Sequence, residues 1–172
     1  MSGFVVFWFA ATEIILCCVN RPLYGGINMP PIYIHTDNSD PKEKLYEARL
    51  AGDKADVLEK KMQEVVVKVI EKDPTFTTNK IKNPKGYTIR LKVSKLVKEG
   101  RETKCSLSGE ILEYPKITYS KLGAGSKMLS TGMTGSASAT GSFAALDCVE
   151  AITESLVKKS LPIMRADMAS NR

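Results

Sequence analysis

Residues able to carry out catalysis are few and do not form a recognisable set. His35 is the chain's one histidine, so a serine–histidine pair or a multi-histidine metal site would depend on a single residue in a proline-rich stretch. Ser155 and Lys158 have the Ser-x-x-Lys spacing of some acyl-transfer enzymes, but the companion motifs are missing. Residues 123–127, GAGSK, have neither the Walker spacing nor the third glycine of a dinucleotide fingerprint. The sequence therefore predicts a non-enzymatic protein without catalytic, cofactor-binding or metal-binding residues.

The cysteines are the residues whose chemistry depends most on where the chain resides. Cys17 and Cys18 lie in an apolar leader, whereas Cys105 and Cys148 lie in the rest of the chain. No C-x-x-C spacing is present, which argues against zinc or a redox motif. Two alternatives stay open for the second pair: a disulfide if the chain is exported, or two buried free thiols in a reducing compartment.

The leader is the most apolar segment of the chain. Residues 1–20, MSGFVVFWFAATEIILCCVN, contain one charge, Glu13. A transmembrane helix needs about 20 predominantly apolar residues, so this segment is too short and too interrupted to fit one well. The run has the length of a secretion signal but lacks a preceding Lys or Arg and a clean cleavage site. Residues 15–18, ILCC, distantly resemble a lipoprotein box in which Cys18 would be acylated. An export or membrane-anchoring signal and a structured N-terminal segment both remain open.

Composition indicates one soluble globular domain. The 172 residues are 43% apolar and 26% charged, which is ordinary for a packed fold and unlike a disordered or fibrous chain. The 25 basic and 19 acidic residues give a formal net charge of +6, with both signs interleaved along the chain. Interleaved charges are typical of solvated faces rather than of a nucleic-acid patch.

The chain is organised around a predicted hairpin over residues 86–113. Apolar side chains occupy every second position of its first strand: Tyr87, Ile89, Leu91 and Val93. A turn around Gly100 follows, and the second strand alternates in the same way through Cys105, Leu107 and Ile111. This period of two predicts one buried and one solvent-facing side, so the hairpin needs a cover on its apolar face.

A first amphipathic helix is predicted to supply part of this cover. It should begin at Asp40-Pro41, where an acceptor side chain precedes a proline, and pause at Gly52. Its apolar stripe repeats at helical spacing through Leu58, Met62, Val65, Val66 and Val69.

A second helix is predicted near the C-terminus. Ser142 should cap it, and it should end near Ser160, before Pro162. Its apolar positions repeat at helical spacing, and residues after 165 are expected to fray.

Three further strands are expected, at residues 32–35, 75–82 and 126–142. The last is rich in glycine and serine, which is also typical of a flexible linker. We favour a strand, because Leu129 and Met133 share one parity and small side chains would let a helix lie close on the sheet.

The order strand, helix, four-stranded meander, helix predicts an α+β fold. We expect a two-layer sandwich in which two helices cover one face of a mainly antiparallel sheet of about four to five strands. The predicted organisation is an apolar leader and Pro/Gly linker over 1–31, one α/β domain over 32–164 and a flexible tail over 165–172.

If the closing helix packs on the hairpin, the two thiols outside the leader approach each other from facing layers. Cys105 shares the inward parity of Leu107, and Cys148 borders the apolar stripe of the helix. A bridge would close a loop of about 40 residues, worth about 4 kcal/mol in the chain-entropy model. It requires α-carbons within about 7 Å of each other.

The polar side of the hairpin suggests an alternative function. Arg90 and Lys92 lie on this side beside Lys104, so an exposed basic sheet face could contact the phosphates of single-stranded nucleic acid. Such sheets normally add aromatic stacking platforms, which these positions lack. Nucleic acid is therefore the alternative partner, and other proteins are the leading one.

The layout and three stretches, GYTIRLKVSKL, MLSTGMTGSASAT and ALDCVEAITESLV, resemble small periplasmic α/β domains of Gram-negative envelope proteins. Examples are the amino-terminal domain of TolB and domains of curli-secretion and penicillin-binding-protein-activating lipoproteins. The resemblance spans residues 32–164 and implies a non-catalytic binding or assembly role. The chain would then be periplasmic, attached to the outer membrane through its N-terminus, or secreted. It would be cytoplasmic if the leader is part of the fold.

Overall fold

The computed structural model describes residues 31–40, 43–80, 84–115 and 128–170. Its elements are β1 (Ile32–His35), β2 (Tyr46–Glu47), a 3-10 helix (Arg49–Lys54), α1 (Ala55–Ile70), β3 (Phe76–Thr77), β4 (Gly86–Glu99), β5 (Glu102–Tyr114), β6 (Met128–Thr140) and α2 (Ala144–Ser170). Both helices and the sheet contribute to one hydrophobic core. The fold is therefore α+β, as the sequence predicted.

The sheet is mixed, and the expected mainly antiparallel sheet of four to five strands is wrong. The described strands number six, in the order β3-β1-β4-β5-β6, with β2 also pairing with β4. β1 and β2 pair with β4 in parallel, as β1 does with β3, whereas the β4–β5 and β5–β6 pairings are antiparallel. The physical reason is the length of β4. Its 14 residues leave room on one edge for two short strands in succession.

The central hairpin of β4 and β5 has the predicted alternation. It pairs Gly86 with Tyr114 at one end and Glu99 with Glu102 at the other. A bulge between Val93 and Lys95 shifts the pattern by one residue. The apolar side of the hairpin is buried under the helices through Tyr87, Ile89, Leu91, Val93, Cys105, Leu107 and Ile111.

The first helix starts later than the sequence predicted. Asp40 is irregular, Pro41 lies outside the described residues, and β2 and the 3-10 helix precede α1. The predicted pause at Gly52 is present, with a φ of 55° that glycine adopts without strain. The predicted apolar stripe faces the core, since Leu58, Met62, Val65, Val66 and Val69 are all buried.

The second helix continues past Ser160 and Pro162 to Ser170, so its predicted end is wrong. Proline removes one backbone donor, and Pro162 lies on the exposed side of the helix, where water can bind the freed carbonyl oxygen. Met164 beyond it is fully buried. Burial on the core side therefore holds the helix together across the proline.

Polar contacts hold the same C-terminal turns. The Tyr87 hydroxyl lies 3.3 Å from the Met164 carbonyl oxygen and donates to Asp167 Oδ2 at 2.9 Å. Arg165 forms an ion pair with Asp73, which follows α1. The helix thereby extends into the segment 165–172 that the sequence predicted as a tail.

The glycine- and serine-rich segment forms a strand, β6, as the sequence favoured. Its residues on the side that faces α2 are partly buried: Met133, Gly135, Ala137 and Ala139. Gly132 has a φ of 75° and lies at a bulge in the pairing with β5. Leu129 before the bulge packs against the core, as Met133 and Ala137 do beyond it.

Candidate interaction surfaces

The structure joins β5 to α2 through a disulfide between Cys105 and Cys148. The two α-carbons are 6.2 Å apart, inside the limit of about 7 Å that a bridge requires. Both residues are 1% exposed. The pairing is the one that the sequence analysis named, and its formation in the native compartment stays a prediction.

Reduction of this bridge would leave one thiol with a ready partner. Cys148 Sγ lies 3.3 Å from the Ala137 carbonyl oxygen of β6. A bridged sulfur has no proton to donate, whereas a thiol could donate to that oxygen. Cys18, the predicted acylation site, lies outside the described residues.

The predicted basic sheet face carries its own counterions. Lys92 Nζ is 3.3 Å from Glu47 Oε1. Lys104 Nζ is 2.6 Å from Glu99 Oε2, a hydrogen bond that raises the pKa of the lysine and lowers that of the glutamate. The third cation, Arg90, faces Glu110 across the β4–β5 ladder. Two of the three predicted cations, Lys92 and Lys104, are thus paired with carboxylates.

A cleft of about 320 Å³ opens beside these residues at the edge of β4. Four basic and three acidic side chains line it together with Leu45, Leu91 and Ser108; the charged set is Lys44, Arg49, Arg90, Lys92, Glu43, Glu47 and Glu110. The Glu47 carboxylate forms ion pairs with Arg49, at 3.1 Å, and with Lys92. Arg90 Nε is buried and has no hydrogen-bond partner within the described ranges.

Side chains that the sequence analysis missed hold the wall of this cleft in place. Asn38 Oδ1 accepts from the backbone N–H groups of Leu45, at 2.7 Å, and Tyr46, at 3.1 Å. Asn38 thereby acts as a strand partner for β2. A cue was present in the sequence, because asparagine in a turn-rich stretch commonly bonds to nearby backbone.

Glu59 fixes the other side of the same wall. It is 6% exposed and accepts from the Ala48 N–H at 3.2 Å and from Lys44 Nζ at 3.1 Å. Its position next to Leu58 and three residues before Met62 puts a carboxylate on the apolar stripe of α1. That placement was the signal that could have revealed it, since a buried charge needs a partner.

An aromatic cluster lies where β1 meets the end of β5. The His35 and Tyr114 rings stack with centroids 4.5 Å apart, and the Tyr33 and Tyr114 rings are 5.3 Å apart. Tyr33 Oη is 3.3 Å from His35 Nδ1. Burial lowers the pKa of His35, which favours the neutral ring. The three rings contact one another, so they form a structural cluster rather than an open stacking platform.

The outer edge of β6 is the longest unpaired strand edge in the described part of the chain. β6 is 13 residues long and ends the sheet order, with only β5 as a described neighbour. Its sequence, MLSTGMTGSASAT, contains no charged residue and no proline. Side chains on the sheet face away from the helices are small and exposed: Thr134, Ser136, Ser138 and Thr140.

The described residues fit neither a metal site nor a membrane-spanning helix. No group of three or more His, Cys, Asp or Glu side chains is placed to hold a metal ion within these ranges. None of the described helices is long and apolar enough to cross a membrane.

Comparisons with known proteins do not show a family for this chain. No protein-family model matches the chain, and no curated protein matches it. A crystal structure described as a "putative lipoprotein from Caulobacter crescentus CB15" is similar with a TM-score of 0.42 and 14% identity, covering 67% of this chain and 85% of that one. A likeness this weak carries no argument about function. It also gives no support to the TolB, curli-secretion or penicillin-binding-protein-activator families that the sequence suggested.

Proposed function

We propose that this protein is an exported, envelope-associated module of a Gram-negative bacterium that works without catalysis, by binding a protein strand at the edge of β6. The observation that carries the proposal is this 13-residue uncharged edge. An unpaired edge presents backbone N–H and C=O groups in a row, and an added strand gains main-chain hydrogen bonds there.

A second exposed stretch of sheet edge shows the contrast. Beyond its pairing with β2, β4 carries Lys95, Lys98 and Glu99, all exposed. Charged side chains, lysine above all, are a common device against unwanted strand addition. Because β6 carries no charged residue, we infer that its edge pairs with a strand of a partner.

The bonding geometry of Cys105 and Cys148 fits the exported part of the proposal. Bridges persist in oxidising compartments and are rare in the cytosol. The bond between Cys105 and Cys148 lies between the two layers. In an oxidising environment it would be a permanent crosslink between the sheet and α2. The apolar leader over residues 1–20 fits the same interpretation.

The nucleic-acid alternative receives no comparable support. Affinity for phosphates comes from cations that release counterions, and the predicted cations Lys92 and Lys104 already bind carboxylates. The nearby aromatic rings of His35 and Tyr114 stack on each other.

The test compares three tagged chains after chemical crosslinking in the native host. They are the wild type, the double variant Thr134→Lys/Ser138→Lys on β6, and the control Asn79→Lys. Asn79 is exposed just after β3, at the opposite edge of the sheet. The wild type and the control should carry the same crosslinked protein, and the double variant should lose it. Identical adducts in all three would overturn the proposal.

Export is tested on the same material. Cells are lysed directly into denaturant that contains a thiol-alkylating reagent, so that the reagent reaches the buried cysteines, and the intact mass of the purified chain is measured. The expected product lacks or modifies the leader and leaves Cys105 and Cys148 unalkylated. A wholly cytoplasmic chain with an intact leader and two alkylated core cysteines would contradict export.

A further inference from the structure

We infer that the strand paired with β6 is the β6 of a second copy of this chain, in antiparallel orientation. This inference rests on the proposed function and names the partner of the same edge. Two sheets, each with six described strands, would then join into one continuous sheet across a two-fold axis perpendicular to it.

The edge of β6 is complementary to itself. An antiparallel pair of identical strands alternates donors and acceptors correctly by symmetry. The chain is basic overall, with a net charge of +6, so like charges would oppose most self-pairings. β6 contains no charged residue, which makes its edge a place where two copies can meet without direct repulsion.

The polar face of β6 already shows the contact that the dimer would repeat. Ser106 Oγ and Ser136 Oγ are 2.8 Å apart across the β5–β6 ladder. In the symmetric pair the exposed hydroxyls of Thr134 and Ser138 would lie on the same face in both copies. Cross-strand pairs of serine and threonine hydroxyls stabilise a sheet.

Two small side chains of α2 lie on the helix side of the same edge. Cys148 of α2 lies against the Ala137 carbonyl of β6, which marks the side of the helix that lies over this strand. Ala151 and Ser155 follow on that side at helical spacing, and both are exposed, small and uncharged. Two symmetry-related α2 helices would therefore meet small, uncharged side chains at these two positions, while Lys159 on the next turn is exposed and charged.

Sedimentation velocity of the purified, disulfide-bonded protein over a concentration series tests the inference. Wild type and Asn79→Lys should form dimers. Thr134→Lys/Ser138→Lys should weaken dimerisation by about tenfold or more, equivalent to about 1.4 kcal/mol. Far-ultraviolet circular dichroism establishes that the double variant is folded. A wild type that stays monomeric, or a dimer that the lysines leave unchanged, overturns the inference.

Backbone hydrogen exchange of the wild type gives a readout that does not depend on any variant. The β6 amides that point away from β5 should exchange slowly at concentrations where the dimer forms and faster at dilutions where it does not. Slow exchange of these outward amides in the dilute monomer would mean that the chain's own residues cover the edge, which overturns both the inference and the proposed function. A monomer with a fast-exchanging edge that still crosslinks a different protein in the host overturns the second copy alone.

Discussion

Gly135 of β6 and Ile152 of α2 lie so close that a β-carbon on Gly135 would stand 2.6 Å from Ile152 Cγ2. Real β-carbons do not approach other atoms this closely, so only glycine allows the present spacing of helix and strand. The same close approach puts Cys148 beside Ala137 of β6 and within bonding reach of Cys105.

Gly135→Ala should therefore destabilise the fold. The added methyl group must displace Ile152, a buried residue, and overpacking of this kind costs about 1–3 kcal/mol. Urea unfolding followed by circular dichroism measures the loss. Asn79→Ala, at an exposed position on the opposite edge of the sheet, should change stability by less than about 0.5 kcal/mol. Equal stabilities for the two variants would show that the helix can shift at no cost.

Tyr46→Phe should leave stability unchanged or raise it. Tyr46 is fully buried and its hydroxyl has no hydrogen-bond partner among the described residues. Burial raises the pKa of this phenol well above its usual value. An unsatisfied buried polar group costs about 1–3 kcal/mol, so removing it can recover part of that cost. A clear loss of stability in the same urea assay would reveal a partner that the described residues do not include.

Glu59→Ala should destabilise the β2 wall of the cleft. The change leaves the Ala48 N–H without its acceptor, which costs about 1–3 kcal/mol. Lys44 loses its ion pair but is 41% exposed, so water can solvate it. Glu64→Ala on the exposed side of α1 is the matched control and should stay near the wild type. If both variants unfold at the same urea concentration, the buried carboxylate contributes nothing.

Stability should decrease as the pH falls through the range in which free histidine titrates. Burial lowers the pKa of His35 in the folded chain, so below about pH 6.5 the unfolded chain binds a proton that the folded chain still excludes. Above that pH the loss of stability is absent. Below it, the loss grows as the pH falls, until the pH is lower than the pKa of His35 in the folded chain. Urea unfolding at about pH 7.5 and at about pH 5.5 gives two free energies of unfolding for each chain. Their difference should be smaller for His35→Phe than for the wild type.

The histidine effect can be separated from that of the carboxylates. Asp37 and Glu99 have lowered pKa values, the first through hydrogen bonds with Ser39 and the second through one with Lys104. Since these carboxyl pKa values lie below their ordinary ones, both groups stay ionised over the range from about pH 5.5 to about pH 7.5. An unchanged pH dependence in His35→Phe would show that the ring does not couple to folding.

Local pattern was enough to predict the parts of the fold that depend on it. Alternation over residues 86–113 predicted the hairpin of β4 and β5, and the small side chains around Gly135 predicted a strand under a closely packed helix. The pairing of Cys105 with Cys148 followed from these two predictions, because inward parity and helix position together fixed which layers the sulfurs occupy.

Long-range contacts decided what local pattern could not. The strand β2 forms because Asn38 and Glu59 accept hydrogen bonds from backbone N–H groups next to it. A strand of two residues is too short to show a periodic pattern in the sequence. Helix α2 crosses Pro162 because Tyr87, far away in sequence, bonds to its last turns. The counterions on the sheet face were missed in the same way, since Glu47 reaches Lys92 only through the parallel pairing of β2 with β4.

The most direct test of the account is a photoreactive residue placed on the edge strand in the native host. The chain with this residue at Ser138 is compared with one that carries it at Asn79, on the far side of the sheet. Irradiation should give a discrete protein adduct from Ser138 and none from Asn79, and its mass should be that of two copies of the chain. No adduct from Ser138, or the same adducts from both positions, would contradict the claim that β6 binds a protein strand.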